Sequence, residues 1–233
     1  MRNIGILYNA FVSLVIGVTG VGIFGSLRKK RQEKEIEYNE GLDYFCLLSG
    51  LVWLISSIGI FYNWLDKPEV GITLYRWITG PLTYLHLLPA FQYLGWSFFE
   101  GKQKLRWLFN GFFSLVSVSA VVALELYGFT QPEMGYWGAN VVPNELANNI
   151  FTFGLFLPGA IFILIELIRK IRSWIKNQGL KEKRLLGFSF GFFLYAAGGI
   201  FAGLGAQAWI VLLARISIMT ALLVFYFSTT LDN

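Results

Sequence analysis

Seven apolar stretches, separated by short polar loops, dominate the pattern of hydrophobic and polar positions along the chain. Each is about long enough to cross the ~30 Å hydrocarbon core of a bilayer as an α-helix. The pattern therefore predicts an all-α polytopic membrane protein in which residues 1–233 form a single domain of seven transmembrane helices. The approximate bounds of these spans are 4–27, 44–62, 72–98, 105–127, 149–168, 185–204 and 207–231.

The lysines and arginines fall mostly in three loops, and their distribution predicts the orientation of the helices. Of the 19 basic residues, five lie in 28–43, three in 100–106 and seven in 169–184. Short loops rich in Lys and Arg stay on the cytoplasmic side of a membrane. We therefore expect the N-terminus outside and the C-terminus inside. The basic residues at 28–31 follow the first apolar stretch, whereas a cleaved secretory signal has its charges before it.

The composition agrees with a membrane environment. The chain is 55% hydrophobic and only 14% charged, whereas about a quarter of the residues in a soluble domain are charged. A net charge of +5 does not indicate nucleic-acid binding, because the basic residues lie in short loops between spans. The expected surroundings are a lipid bilayer, and the expected location is the cytoplasmic membrane of a prokaryote.

Prolines and glycines indicate where helices bend and where they pack closely. Pro81 and Pro89 lie in the third span and Pro158 in the fifth, and a proline inside a helix usually kinks it. Small residues that recur every three or four positions allow two helices to approach each other closely. Such glycines occur in the first span between 17 and 25, and in the sixth span at 187 and 191 and at 199 and 203.

Arg215 is the most informative single residue, because it lies in the apolar run of the seventh span. A cation inside a membrane is costly unless it is paired or hydrated, and it is by default a candidate functional residue. Two interpretations stay open for Arg215. It either contacts a ligand or forms a structural ion pair, for which Glu125 and Glu145 are the candidate partners.

Other polar residues fall at comparable depths and outline an outward-facing pocket with Arg215. His86 is the only histidine, so imidazoles alone cannot build a metal site here. It is either a ligand contact or a packing residue held by hydrogen bonds. Glu166 lies one turn before Arg169 and Lys170, which predicts pairing with these cations rather than a proton relay. The predicted ligand-binding set is Arg215, His86, Thr83, Tyr84, Glu125, Asn149 and Thr152.

Seven helices with an outer N-terminus invite comparison with the microbial rhodopsins, which bind retinal through a lysine in the seventh helix. The last lysine in this chain is Lys183. Arg215 cannot replace that lysine because its guanidinium stays protonated. A retinal Schiff base is therefore disfavoured. No other cofactor motif and no metal-binding motif occurs, so none is expected.

Residues 40–230 resemble, in layout, the N-terminal seven-helix membrane sensor domain of bacterial histidine kinases and cyclases. The resemblance lies in Trp53 of the second helix, the stretch LYRWITGPLTYLHLLPAFQYLG, the brief basic loop after it and the gap before the fifth helix. It implies a sensor function. Such sensors continue into a cytoplasmic transmitter, whereas this chain ends at Asn233, so we expect any signal to pass through a partner.

The expected function is therefore that of a non-catalytic, receptor-like membrane protein that binds a small amphipathic or lipid-like ligand. A membrane or cytoplasmic protein partner, or anionic lipid headgroups, would meet the basic loop 169–184. One alternative is a small transporter or channel with a polar path through His86, Glu166 and Arg215. Another is a structural subunit of a larger membrane complex. An enzyme is disfavoured, because acid–base chemistry needs clustered titratable groups.

Overall fold

Helices form almost all of the chain that a computed structural model describes, namely residues 4–32, 41–129, 133–135, 138–140, 143–203 and 208–230. This confirms the predicted helical character. The elements are α1 (Ile4–Gln32), α2 (Leu42–Trp64), α3 (Pro68–Leu74), a π-helical segment (Tyr75–Thr79), α4 (Gly80–Leu85), α5 (Leu88–Phe98), α6 (Gln103–Tyr127), β1 (Glu133–Gly135), β2 (Gly138–Asn140), α7 (Glu145–Asn149), a second π-helical segment (Ile150–Phe156), α8 (Leu157–Asn177), α9 (Leu180–Gly203) and α10 (Ala208–Thr230).

Within these described ranges, six helices are long and apolar enough to cross a membrane. They are Ile4–Lys30, Leu42–Trp64, Gln103–Tyr127, Glu145–Asn177, Leu180–Phe201 and Trp209–Thr230. Large apolar side chains such as Trp107, Leu115 and Leu126 are more than 60% exposed on the outside of the bundle. A surface this apolar suits contact with lipid acyl chains rather than water, so the chain is an integral membrane protein.

The predicted third span, 72–98, is the exception, because it is not one uninterrupted helix. The helical stretch begins at Pro68, passes through the π-helical segment Tyr75–Thr79 and breaks at a turn before α5. Pro89 explains the break, because a proline has no N–H to donate to the carbonyl four residues earlier and its ring clashes with that carbonyl. The predicted kink is therefore confirmed, whereas the prediction of one helix over 72–98 is wrong.

Both π-helical segments come directly before a proline. Pro81 is the second residue of α4, and Pro158 is the second residue of α8. A π-helical turn adds a residue to the turn and gives the proline ring room beside the preceding carbonyls. The fifth helical stretch stays continuous from Glu145 to Asn177 for this reason.

Several helices extend beyond the predicted spans. The first continues to Gln32 instead of residue 27, α8 continues to Asn177 instead of 168, and α9 begins at Leu180 instead of 185. Residues 33–40 of the first basic loop lie outside the described residues. So do residues 204, 207 and 231, which bound the last two predicted spans.

A short β-hairpin follows α6 and is the departure from an all-α fold. Glu133 pairs with Asn140 in antiparallel register. Asn144 then begins α7, because its side-chain oxygen accepts a hydrogen bond from the Ala147 N–H at 2.9 Å. Its amide nitrogen donates to the carbonyls of Ala123 and Gly128, at 3.0 and 2.9 Å. This one side chain therefore joins the end of α6 to the start of α7.

The closest helix packing occurs between α1 and α2 and between α9 and α10. A Cβ placed on Gly20 would lie 2.9 Å from both the Cys46 carbonyl oxygen and the Gly50 Cα. In the second pair, Gly191 leaves room for the ring of Phe225. The small residues at these positions therefore face a neighbouring helix, as predicted. Gly22 and Gly25 do not, since nothing lies within 4 Å of a Cβ placed on either.

The helices α1 and α10 run parallel. In the first third or so of each helix, Arg215 of α10 bonds to Asn9 of α1 at 3.0 and 3.1 Å. Near their last turns, the Lys30 ammonium donates to the Thr229 carbonyl at 2.7 Å. A lysine on the last carbonyls of a helix satisfies groups that have no partner within the helix. The first and last helices are therefore joined at both ends.

We expect Gly20→Ala to lower the thermal unfolding temperature of the detergent-solubilised protein, because the added methyl group would collide with the backbone of α2. Overpacking of this kind typically costs about 1–3 kcal/mol. Gly22→Ala, two residues away on the opposite side of the same helix, is the matched control, and its unfolding temperature should equal or exceed that of the wild type. Equal unfolding temperatures for the two variants would contradict the close packing of α1 on α2.

Candidate functional site

Arg215 is held by groups from two other helices. Its Nε and Nη2 donate to the Asn9 Oδ1 at 3.1 and 3.0 Å, and its guanidinium lies 4.2 Å from the centroid of the Trp53 ring. Among the described residues, no acidic side chain pairs with it. The ion pair with Glu125 or Glu145, one of the two interpretations from the sequence, is therefore not present in this part of the chain.

Asn9 and Trp53 together replace much of the water that this cation would have in solution. An amide oxygen accepts two of the five guanidinium N–H groups. The face of a tryptophan attracts a cation, and this attraction reaches about 2 kcal/mol or more when the pair is desolvated. Neither group neutralises the charge. The site therefore keeps a net positive charge in apolar surroundings.

A second set of hydrogen bonds lies beside this pair and centres on Tyr195 of α9. The Tyr195 hydroxyl is 2.7 Å from the Ser49 hydroxyl and 3.1 Å from the His86 Nε2. The other ring nitrogen, Nδ1, lies 2.8 Å from the Thr83 carbonyl oxygen, which can only accept. In the neutral imidazole Nδ1 therefore carries the proton, Nε2 accepts from Tyr195, and Ser49 donates to Tyr195.

Trp53 connects the two sets, because it lies one turn after Ser49 on α2 and stacks on Arg215. Its indole N–H is buried and makes no hydrogen bond of good geometry among the described residues. The indole and Arg215 nevertheless both lie near the Tyr195 hydroxyl. We call the whole set the Arg215 cluster, and its members are Asn9, Ser49, Trp53, His86, Tyr195 and Arg215.

The predicted ligand-binding residues are divided between this cluster and other places. Arg215 and His86 lie in the cluster, and Thr83 contributes its carbonyl while its hydroxyl donates to the Thr79 carbonyl at 2.7 Å. The other four lie elsewhere, and no hydrogen bond, ring contact or ion pair of the described residues joins them to the cluster. Tyr84 packs its buried ring on Phe151, Glu125 is half-buried on α6, Asn149 is exposed at the end of α7, and Thr152 is half-buried in the second π-helical segment.

Asn9 and Ser49 are the cluster residues that the sequence did not single out. Asn9 is 6% exposed. A polar amide inside an apolar stretch marks a candidate functional residue, as Arg215 does, but the indication is weaker because the amide is uncharged. What the sequence lacks is the pairing, because 206 residues separate Asn9 from Arg215. Trp53 and Tyr195 lie within predicted spans, where core packing is the expected role and the lining of a cavity is the alternative. The structure brings both near Arg215.

A second polar cluster surrounds Glu166, which is fully buried on α8. Its carboxylate accepts a hydrogen bond from the Ser97 hydroxyl of α5 and forms salt bridges with Arg169 and Lys170, each at 3.2 Å. The predicted pairing of Glu166 with these two cations is therefore confirmed. The Arg169 guanidinium also lies 4.7 Å from the centroid of the Phe98 ring. Tyr93 lies near this carboxylate, and its hydroxyl is 3.5 Å from that of Ser189. Glu166, Ser97, Arg169, Lys170, Tyr93 and Ser189 form the Glu166 cluster.

An aromatic layer separates the two polar clusters. The rings of Phe45, Phe192 and Phe225 are each at most 2% exposed and contact one another, with centroids 4.9–5.9 Å apart. Phe45 also contacts the ring of Tyr195, and Phe192 contacts the ring of Tyr93. Among the described residues, none of the hydrogen bonds or ion pairs given above joins one cluster to the other, and these rings lie between them.

The described residues include no group of three His, Cys, Asp or Glu side chains placed to hold a metal ion. Cys46 is buried in α2 and makes no disulfide. The titratable side chains of the Arg215 cluster are a guanidinium, an imidazole and a phenol.

We expect Glu166→Gln to destabilise the protein, because it leaves Lys170, whose side chain is 15% exposed, without its counter-charge. Removing one partner of a buried pair costs about 3 kcal/mol, which thermal unfolding in detergent would detect. Glu69→Gln changes an exposed carboxylate of α3 and is the matched control. If both variants unfold at the wild-type temperature, the salt bridges of Glu166 within α8 do not stabilise the protein.

No family model matches the chain, no curated protein is similar to it, and no solved structure matches its fold. Function is therefore inferred from the chemistry of the two clusters.

Proposed function

We propose that this chain is a non-catalytic, receptor-like protein that binds a small amphipathic or lipid-like ligand at the Arg215 cluster and signals through a partner. The observation that carries the proposal is the buried guanidinium, which has no acidic partner among the described residues. An anionic ligand would supply the missing counter-charge. The resemblance of residues 40–230 to the membrane sensor domain of bacterial histidine kinases supports the same function.

The proposal includes seven membrane crossings, with the N-terminus outside and the C-terminus inside a prokaryotic cytoplasmic membrane. The parallel packing of α1 and α10 supports an odd number of crossings, since consecutive crossings alternate in direction. An odd number requires one crossing in addition to the six long apolar helices. The broken helical stretch Pro68–Phe98 is the described segment that could supply this crossing. The excess of Lys and Arg in alternate loops favours the orientation.

Ligand binding would act by helix repacking. An anion that pairs with Arg215 competes with Asn9 for the guanidinium and shifts its position over Trp53. The hydrogen bonds of Tyr195 carry such a shift to His86, which lies at the break between α4 and α5. Because Ser97 of α5 bonds to Glu166 of α8, these two proline-bearing stretches would move together.

The inner end of α8 is the part through which the signal would leave. Beyond the predicted span, α8 continues to Asn177, and its last turns carry Arg169, Arg172 and Lys176 on one face. All three side chains are exposed. A cytoplasmic or membrane protein partner, or anionic lipid headgroups, would meet this basic surface within the loop 169–184.

A small transporter or channel is the second candidate. The two polar clusters lie at two levels of the same bundle. Helix α9 contributes Tyr195 to the Arg215 cluster and Ser189 to the Glu166 cluster. In such a protein the aromatic layer of Phe45, Phe192 and Phe225 would be the closed gate. Flux of ions or small solutes through proteoliposomes would favour this candidate, whereas impermeable proteoliposomes would count against it.

We expect native mass spectrometry of the protein, gently extracted from its own membrane, to show a bound small molecule that Arg215→Ala loses. Arg76→Ala is the matched control, because Arg76 also stacks on a tryptophan, with 5.1 Å between its guanidinium and the Trp77 ring centroid, but is exposed. A bare wild-type chain would contradict ligand binding, and stoichiometric protein chains without a ligand would favour a structural subunit.

We also expect tags on the two termini to lie on opposite sides of the membrane. In sealed vesicles, a membrane-impermeant protease should remove only one tag until detergent is added. Six crossings would place both tags on the same side. Removal of both tags together, or of neither, would therefore exclude the crossing by Pro68–Phe98.

A further inference from the structure

A small pocket lies beside Arg215, between α1 and α10. Tyr8 and Leu212 form its outer margin, and they are 50% and 40% exposed on the apolar outside of the bundle. The pocket therefore opens sideways, towards lipid acyl chains, rather than along the bundle axis. The residues that line it are Tyr8, Asn9, Val12, Val211, Leu212 and Arg215.

The size of the pocket limits the polar group that can enter it. Its volume is about 10 Å³, which is room for one water-sized group. One oxygen of an anionic group fits such a space, and the rest of that group has to lie at the mouth of the pocket.

The guanidinium of Arg215 has one edge left for such an oxygen. Asn9 occupies the edge formed by Nε and Nη2, and Trp53 covers one face of the group. No described residue accepts a hydrogen bond from Nη1. The end-on edge, formed by Nη1 and the second N–H of Nη2, matches the two oxygens of a carboxylate in geometry.

The depth of Arg215 favours a carboxylic acid over a phospholipid headgroup. Arg215 comes seven residues after the first residue of α10, which places its Cα about 10 Å along the helix. Lipid phosphates lie outside the hydrocarbon core and stay charged. A carboxylic acid can reach this depth in its neutral form. It then ionises beside the guanidinium, and its proton passes to the water at the membrane surface.

We propose that the pocket binds a single-chain amphiphile with one carboxylate, which enters from the bilayer between α1 and α10. The carboxylate pairs with the end-on edge of Arg215, and the alkyl chain lies along Val211 and Leu212. This inference rests on the proposed binding function of the Arg215 cluster and adds the chemical class of the ligand and its route.

The test uses the full chain in nanodiscs of phosphatidylcholine, with 9,10-dibromostearate as a quencher of tryptophan fluorescence. Because Trp53 stacks on Arg215, quenching should be saturable and should be reduced by Trp53→Phe. Dodecanoate should compete, whereas dodecanol should not. Arg215→Gln should weaken binding about tenfold or more, since it removes a charge-assisted pair, and Arg76→Gln should leave it unchanged.

A second variant keeps the charge and blocks the route. Val211→Phe fills the pocket without changing Arg215, so it should weaken binding. It tests the site even if the Arg215→Gln protein does not fold. Equal competition by dodecanol, or stronger competition by dodecyl phosphate, would overturn the carboxylate class. Unsaturable quenching, equal in the wild type and in Val211→Phe, would overturn the site. Native mass spectrometry would still detect an Arg215-dependent ligand of another class, so the two proposals fail separately.

Discussion

A guanidinium inside an apolar bundle has to be solvated by the protein itself, and the surroundings of Arg215 meet that requirement. The acceptor and the ring face for Arg215 come from α1 and α2, so both helices have to lie within reach of its side chain. The glycines at 17, 20 and 50 allow α1 and α2 to pack backbone against backbone. Asn9 and Trp53 are thereby held in fixed positions, and Trp53 also brings the cation near Tyr195.

Local patterns predicted much of the fold, because apolar length, loop charge and proline position act on neighbouring residues. Six of the predicted spans correspond to helices suited to crossing a membrane, and Glu166 pairs with cations three and four residues away, as its spacing indicates. The π-helical segments were not predictable, since they depend on how helices settle around Pro81 and Pro158. Likewise, no local pattern reveals that Asn9 rather than Glu125 reaches Arg215, because this depends on which helices become neighbours.

The division of polar groups into two levels bears on how a signal could cross the bundle. Among the described residues, no hydrogen bond links the Arg215 and Glu166 clusters, and the aromatic layer of Phe45, Phe192 and Phe225 lies between them. Two helices lie near both levels. Helix α5 begins two residues after His86 and carries Ser97, and α9 carries Tyr195 and Ser189. A movement of either helix would therefore affect both clusters.

The continuity of α8 has a geometric consequence. From Leu157 to Asn177 it is one rigid rod of 21 residues, which is about 30 Å long. Its π-helical beginning is the end at which a helix adjusts most easily. A rotation of about ten degrees there would move the far end by about 5 Å over a rod of this length. Such a rotation would turn a small rearrangement at the start of α8 into a displacement of Asn177 as large as one helical turn.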